Sequence, residues 1–180
     1  MNKYSSKFLC KYKPLSNSKD FDYTIDILRN NRFYLSSISK LNDVFECPLT
    51  GLQLTVSGSG IYTSQGLLHP IIEDKLEKYR ILSLTEDYLN EVMWAHYTSN
   101  YNGVCIVVSN NTDFKECKRV KYLGNKIDPD LIEDNLDEII RDSLFVKNSG
   151  WIYEKEYRII KEDNYGDYFY FNKNSIKSSP

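Results

Sequence analysis

The order of short strand-like and helix-like segments is the feature that most constrains the fold of this 180-residue chain. Strand-like segments show a two-residue apolar period or a short apolar run, and helix-like segments show apolar residues every three to four positions. The two kinds follow one another without the regularity of strand–helix–strand units, so we expect an α+β fold with a largely antiparallel sheet. The predicted strands are 7–15, 32–38, 51–57, 80–86, 103–109, 117–123, 151–160 and 167–172, and the predicted helices are 20–31, 71–79, 88–99 and 128–148.

Three details refine this expectation. The run GVCIVVS at 103–109 is almost entirely apolar, which predicts a central strand. Helix 128–148 has Asp128 as a good N-cap and Pro129 as a good first helical residue. The sequence contains no internal linker or repeat, so we expect residues 1–180 to form a single domain whose polar tail, about 173–180, is frayed.

Charge and hydropathy limit the functional classes. The chain has 23 basic and 25 acidic residues, a net charge of −2. This balance gives no basic footprint for nucleic acid and no polybasic membrane anchor, so nucleic-acid binding is disfavoured but not excluded. The N-terminal residues lack the apolar stretch of a signal peptide, and no run approaches 18 apolar residues. We therefore expect a cytoplasmic protein that does not enter the membrane.

Cysteine and histidine usage argues against a metal centre. The four cysteines form no C-x-x-C pair and are predicted to be reduced, mostly buried thiols. The chain has two histidines, His69 and His96, and their spacing suggests no shared metal. We expect no metal cofactor.

The segment WIYEKEYRII at 151–160 poses the main functional question. As a regular strand it would have an apolar face and a charged face. The apolar face would hold Trp151, Tyr153, Tyr157 and Ile159, and the charged face Glu154, Glu156 and Arg158. In one interpretation the charges form a solvated row in which Arg158 neutralises Glu156. In the other, the two carboxylates lie in a cleft and carry out chemistry.

Three further segments mix polar and aromatic residues densely, and each has two interpretations. In KYKPL, Lys11 and Lys13 are either strand-surface charges or ligand-binding groups. The second segment, FYLSSISKLNDVFE, holds either turn and cap residues or site residues. In MWAHYTSNYNG, His96 is either a hydrogen-bonded core residue or part of a site. The candidates in the last two segments are Tyr34, Ser36, Ser37, Asn42, Asp43, Phe45, Glu46, Trp94, His96, Tyr97 and Gly103.

Taken together, these segments resemble a bacterial family known only as domain of unknown function 2971. Members of that family show K-Y-R, a strand ending in S-S, F-N-D-P-F-E, M-W-x-H-Y followed by G, and W-x-x-E-x-E-x-R, in that order. This chain has KYK, YLSS, LNDVFE, MWAHYTSNYNG and WIYEKEYRI over residues 8–160. Lys13 stands where the family more often has arginine, and Val44 stands where proline is usual.

The family in turn looks like the ADP-ribosyltransferase fold, which implies two small, mostly antiparallel sheets around an NAD cleft with flanking helices. The resemblance implies that Glu156 is the catalytic carboxylate facing the ribose and that Glu154 orients or deprotonates the acceptor. Arg158 would keep Glu156 ionised. Tyr34 or Tyr97 would stack on the nicotinamide, and Ser36 would hold Glu156. The remaining residues expected to contact NAD are Lys11, Lys13, Ser37 and His96.

The implied activity is cleavage of NAD as a substrate, as an ADP-ribosyltransferase or an NAD glycohydrolase, in the setting of a toxin or a phage-defence system. The sequence does not identify the acceptor, which is a protein, a nucleic acid, a small molecule or water. It does not show the oligomeric state either. The rival hypothesis is a non-catalytic module that keeps the cleft for a nucleotide or a partner protein. Asn42 and Phe45 are expected to support their loop.

Overall fold

The computed structural model describes residues 7–41, 74–110, 112–123 and 136–177. Three helices are described: α1 (Ser18–Asn30), α2 (Glu91–Tyr97) and α3 (Leu136–Ser143). The strands are β1 (Phe8–Pro14), β2 (Arg32–Tyr34), β3 (Ser36–Ser37), β4 (Tyr79–Thr85), β5 (Gly103–Ser109), β6 (Lys118–Arg119), β7 (Lys121–Leu123), β8 (Val146–Asn148), β9 (Glu156–Glu162) and β10 (Tyr168–Tyr170).

Strand β4 organises the main sheet. Six strands share this sheet in the order β5-β1-β4-β9-β6, with β3 also paired to β4. One edge of β4 pairs with β9 along its whole length. The other edge changes partner, because Thr85 lies opposite Cys10 of β1 whereas Ile81 lies opposite Ser36 of β3. Ser83 lies between these two pairings, where the sheet splits open.

The two faces of β4 and β9 follow the alternation of strand side chains. Leu82, Leu84, Tyr157 and Ile159 belong to the larger core, beneath β2, β10 and α1. On the opposite face, Ile81 packs with Leu76, Ile140 and Leu144 in a smaller core beneath α3. Ser83, Thr85, Glu156 and Arg158 share that second face. The polar stretch of the sheet therefore adjoins an apolar cluster, which shields it from solvent.

The α+β class and the mostly antiparallel pairing are confirmed. The described strands form one six-stranded and two two-stranded sheets, which differs from the expected two small sheets, and β7 pairs with β8 in parallel. The predicted central strand 103–109 is β5, which lies at the end of the strand order. Its apolar character is explained by cover from the C-terminal residues, since Val108 bridges to Ile176 and the Lys177 amide donates to the Val107 carbonyl at 3.0 Å.

Two other boundary predictions were wrong. Helix 128–148 was predicted to run on to Asn148, but α3 ends at Ser143 and residues 146–148 form β8. The tail was expected to be frayed, yet 173–175 forms a 3₁₀ helix. Ser175 is fully buried and donates to Asp113 Oδ2 at 2.7 Å. Asp128, Pro129 and the predicted strand 51–57 lie outside the described residues.

The strand predicted at 151–160 is also corrected. Residues Ser149–Glu154 form a 3₁₀ helix, Lys155 has left-handed backbone angles, and β9 starts at Glu156. Tyr157 and Ile159 are in the core as expected, but Trp151 and Tyr153 are half-buried and outside it. The chemical alternation of this segment suggested an unbroken strand, because Glu154 and Glu156 carry the same charge two positions apart.

Close packing accounts for Gly103, the glycine that ends the MWAHYTSNYNG segment. A Cβ atom built there would lie 2.3 Å from the Lys13 carbonyl oxygen and 2.6 Å from Thr98 Cβ. Real Cβ atoms do not approach backbone so closely, so a larger residue would push β5 away from the end of β1 that carries Lys13. The glycine is therefore required for close packing at this junction.

We predict that Gly103→Ala lowers the free energy of unfolding by about 1–3 kcal/mol, the usual cost of overpacking. Denaturant unfolding measures this change. Gly150→Ala is the matched control, because Gly150 is exposed and its Cβ would meet only the side-chain oxygen Oδ1 of Asn148, at 3.3 Å. Equal stability of the two variants would contradict the close-packing explanation.

Candidate functional site

A cavity of about 350 Å³ opens where β1 parts from β4. β1 forms one wall, β3 and the following 3₁₀ turn a second wall, and α2 a third. The floor is made of Ser83, Thr85, Glu154, Glu156 and Lys147. A volume of this size lies at the small end of ligand pockets. The cavity is thus suited to a small ligand or to one part of a larger ligand.

Lys11 occupies the split in the sheet. Its ammonium group donates to the Ser83 carbonyl at 2.8 Å, at the position of β4 that lies between the two strand pairings. Burial, reinforced by the positive charge of Lys13, lowers the pKa of Lys11 to about 8, although Glu156 and Glu154 oppose the shift. Burial also lowers the pKa of Lys13, while Asp20 opposes that shift. Both amines therefore carry less hydration than surface lysines.

A buried network of four charged side chains forms the base of the cavity. Arg158, with 0% of its surface exposed, donates from Nε to Glu156 Oε1 at 2.7 Å and from a terminal nitrogen to Oε2 at 3.0 Å. Lys147 Nζ lies 2.7 Å from Glu154 Oε2 and 3.4 Å from Glu156 Oε2. The hydroxyl of Tyr97 donates to Glu154. Two cations and two anions balance, which is what makes burial of all four tolerable.

The backbone around this network completes its hydrogen bonding. Arg158 also donates to the Leu144 carbonyl at 2.7 Å, just beyond the end of α3. The Glu156 amide donates to the Tyr122 hydroxyl at 2.7 Å. The left-handed conformation of Lys155 turns the chain between the 3₁₀ helix and β9, and both glutamates still reach Lys147. The network consequently ties β7, β8, β9 and the end of α3 together.

The ionisation state of Glu156 follows from two opposing causes. Burial alone would raise its pKa, but the Arg158 guanidinium, through charge and hydrogen bonds, outweighs burial and, with Lys147 and Ser83, lowers the pKa to about 2. Glu156 is therefore a carboxylate at all ordinary pH values. It is suited to an electrostatic role and not to delivery of a proton.

The cavity brings together seven of the ten site residues expected from the sequence. They come from β1, β3, α2 and the segment that leads into β9. They are Lys11, Lys13, Ser36, His96, Tyr97, Glu154 and Glu156. His96 is exposed to solvent, so its interpretation as a core histidine is wrong. Its Nδ1 lies 3.3 Å from the Tyr153 hydroxyl. Whether these residues bind or catalyse stays a prediction.

The other three expected site residues lie elsewhere. Arg158 is beneath the cavity floor and acts through Glu156. Ser37 is buried and lies 3.1 Å from the Ser39 hydroxyl. Tyr34 is on β2, where its ring meets Tyr168 edge-on. The acidic-loop residues Asn42, Asp43, Phe45 and Glu46 are outside the described residues.

Sequence reasoning missed Lys147 and Ser83. The hydroxyl that hydrogen-bonds to Glu156 belongs to Ser83, whereas Ser36 was expected in this role. Lys147 was hidden because its segment was interpreted as the end of a helix. Charge counting could have indicated it, since two glutamates and one arginine on a buried face leave one carboxylate in need of a cation.

Comparison with known proteins gives one match. Residues 93–159 match the model of a family described as "Protein of unknown function (DUF2971)". This stretch holds most of α2, Lys147 and the Glu154–Glu156–Arg158 segment, so the family resemblance is supported for the part of the chain that supplies three of the five floor residues. No curated protein and no solved structure matches the chain.

Neither a membrane-spanning helix nor a metal-binding cluster occurs in the part of the chain that the structure describes. Among the described residues, no helix is both long and apolar enough to cross a membrane. The same part of the chain contains no group of three His, Cys, Asp or Glu side chains placed to hold a metal ion.

We predict that Glu156→Gln destabilises the protein by about 3–5 kcal/mol, because it leaves the buried charge of Arg158 without its counter-ion. The Glu156 pKa is lower in the folded state, so its contribution to stability is present above pH 4.5 and is lost as the pH falls towards 2. Wild type should lose this increment over that range, and the variant should not. Urea unfolding at several pH values measures both effects.

Asp74→Asn is the matched control for this prediction. It makes the same carboxylate-to-amide change in an exposed pair, in which Lys78 Nζ is 4.0 Å away. Its effect should be below about 1 kcal/mol. If Glu156→Gln were as mild as this control, the buried network would not be a stability centre.

Proposed function

We propose that the protein is an ADP-ribosyltransferase-like enzyme that cleaves NAD, as a transferase or as an NAD glycohydrolase. The observation that carries the proposal is the convergence of a basic strand, a serine strand, a His–Tyr helix and the Glu154–Glu156 pair on one cavity. The proposal is also supported by the split between β1 and β4 of the main sheet, because this split opens the cavity beside the Glu154–Glu156 pair. No step of the proposed reaction requires a metal.

Binding follows from the charges of the cavity. Among the described residues, its wall contains four lysines, Lys11, Lys13, Lys40 and Lys147, against two glutamates. The cationic excess lies on β1 and on the turn after β3, because Lys147 is paired with the two glutamates. We propose that this side holds the negatively charged pyrophosphate of NAD and that the nicotinamide riboside reaches Glu156.

The chemistry follows from Glu156. The bond between ribose C1′ and the nicotinamide nitrogen breaks, its electron pair leaves with nicotinamide, and the ribose becomes oxocarbenium-like. A fixed carboxylate stabilises that charge without reorganisation. A nucleophile, either water or an acceptor group, then forms a bond to C1′ and loses its proton to Glu154 or to solvent. Tyr97, which donates to Glu154, would orient that second carboxylate.

A second candidate function is nucleotide binding without cleavage. It is favoured by the pairing of both glutamates with Lys147 and Arg158, because bound cations weaken the negative field that an oxocarbenium would meet. The pairing of the glutamates does not change the proposed binding of phosphate by the lysines of the β1 side. The two functions therefore share the binding site and differ in whether nicotinamide is released.

We predict that wild type releases nicotinamide from NAD and that Glu156→Gln slows release about 10²-fold or more. The affinity for NAD should change little, because the interaction strengthens mainly in the transition state. Glu154→Gln should reduce transfer to an acceptor more than hydrolysis. Nicotinamide is quantified chromatographically, and affinity is measured by calorimetry below the unfolding temperature of each variant.

Lys13→Ala and Lys13→Arg separate binding from chemistry. Lys13→Ala should weaken NAD binding, whereas Lys13→Arg, which has the residue more usual in the resembling family, should retain it. NAD binding by wild type without any nicotinamide release would reject the enzyme and support the second function. If wild type neither binds NAD nor releases nicotinamide, both candidate functions are rejected.

We predict that NAD affinity falls as the pH rises through about 8, because Lys11 then loses the proton that makes it an anion-binding group. The Lys11→Arg variant keeps its charge at position 11 over this range and should show a shallower profile. Calorimetric titrations between pH 7 and pH 9 test this. Parallel profiles for the two proteins would mean that Lys11 does not contribute charge to binding.

A further inference from the structure

The outward face of the small β2–β10 sheet carries exposed tyrosines that core packing does not require. In the antiparallel register, Tyr34 lies opposite Tyr168, Phe33 opposite Phe169, and Arg32 opposite Tyr170. The phenylalanine pair points into the larger core. The other four side chains therefore share the outer face. Tyr34 is 45% exposed and Tyr170 is 60% exposed, so aromatic rings stand where polar side chains usually meet solvent.

These four side chains form an ordered surface. The Arg32 guanidinium carbon lies 3.8 Å from the centre of the Tyr168 ring, and Asp26 holds the guanidinium in place with contacts of 2.8 and 3.0 Å. Arg32 also donates to the Tyr170 hydroxyl at 3.3 Å. The centroids of Tyr34 and Tyr168 are 5.8 Å apart. Rings held in this way lose little entropy when a flat ligand stacks on them.

The face is continuous with the cavity. Lys40, which lines the cavity, places its ammonium group 3.4 Å from the Tyr34 hydroxyl and 5.8 Å from the Tyr34 ring centre. Ser36, two residues after Tyr34, also lines the cavity. A strand bound across the tyrosines could thus pass a nucleotide to the cavity mouth beside Lys40.

We propose that this face, made of Arg32, Tyr34, Lys40, Tyr168 and Tyr170, binds the unpaired bases of a single-stranded nucleic acid. Aromatic rings accept any base by stacking, and the interleaved cations contact the backbone. A duplex hides its base faces and does not fit this chemistry. The further step, that the bound strand is the acceptor of ADP-ribose, rests on the proposed function.

The acidic balance of the whole chain disfavours binding through a broad basic groove, so this inference rests on base stacking and requires a weak salt dependence. Arg32 is already paired with Asp26, so Lys40 and a part of the Arg32 charge remain for phosphates. For single strands, log Kobs should therefore fall with log[salt] with a slope of about −0.7 to −1.4. A basic-groove protein would show a much steeper slope.

The test is fluorescence anisotropy without NAD, using labelled single-stranded DNA and RNA oligonucleotides of mixed sequence and the corresponding duplexes. Wild type should bind the single strands in preference to the duplexes. Tyr34→Ala and Tyr170→Ala should each weaken binding roughly 5- to 150-fold, the range expected for loss of one stacked base. Tyr34→Phe and Tyr170→Phe keep the ring and should retain most of the affinity.

Tyr101→Ala is the matched control, because Tyr101 is also 60% exposed but follows α2 and is not on this face. Failure of single strands to bind, equal binding of duplexes, or equal loss in the control would overturn the proposal. Nicotinamide release is measured separately. If the protein releases nicotinamide but binds no single strand, the nucleic-acid-binding role of this face is rejected and the proposed function stands. If it binds single strands but releases no nicotinamide, that role of the face stands and the acceptor step is rejected.

Discussion

The ion pair between Arg158 and Glu156 is the interaction on which most of the described structure depends. Both side chains are buried, at 0% and 4% exposure, and they meet through two hydrogen bonds. Arg158 reaches the Leu144 carbonyl beyond α3, and Glu156 reaches Lys147 on β8 and, through it, Glu154. A single buried charge thus positions the second carboxylate of the cavity. Such a network gives specificity more readily than stability, since each member is costly if its partner is lost.

The same network changes how catalytic tests should be interpreted. A glutamate in an open cleft is usually replaceable without loss of folding. Here the carboxylate is also the counter-ion of a fully buried guanidinium. Loss of activity in Glu156→Gln is informative only at temperatures where the variant is shown to be folded. Lys13 is a cleaner probe, because it lies on the β1 wall and is not a member of the buried network.

The sequence predicted much of this arrangement because its signals were local. The alternation in EYRII put Glu156 and Arg158 on one face and Tyr157 and Ile159 on the other, as observed. The predicted helix 20–31 is close to the observed α1, Ser18–Asn30, which ends in a left-handed Asn31. The cavity itself was reachable only through the resemblance to a known family, because it joins β1, β3, α2 and β9 across large separations in sequence.

The remaining features had a weak local signal or none. The left-handed Lys155 interrupts a stretch that mostly alternates as a strand, and the one hint of the break was that Lys155 itself is a charged residue on the otherwise apolar face. Lys147 lies in β8, whose short VKN segment continues the apolar spacing of α3 and so resembled a helix end. The C-terminal residues look polar, yet Ser175 and Ile176 cover the edge of β5 through tertiary contacts. In each case long-range packing outweighed local propensity.

The central claim is that the split between β1 and β4 is a nucleotide site with Glu156 at the reacting ribose. A crystal structure of the protein soaked with NAD tests it most directly. The account predicts ligand density in this cavity, with phosphate oxygens beside Lys13 and a ribose, or ADP-ribose after cleavage, against the Glu156 carboxylate. Density at another surface, or an unoccupied cavity at saturating NAD with the Lys147–Glu156–Arg158 network unchanged, would contradict it.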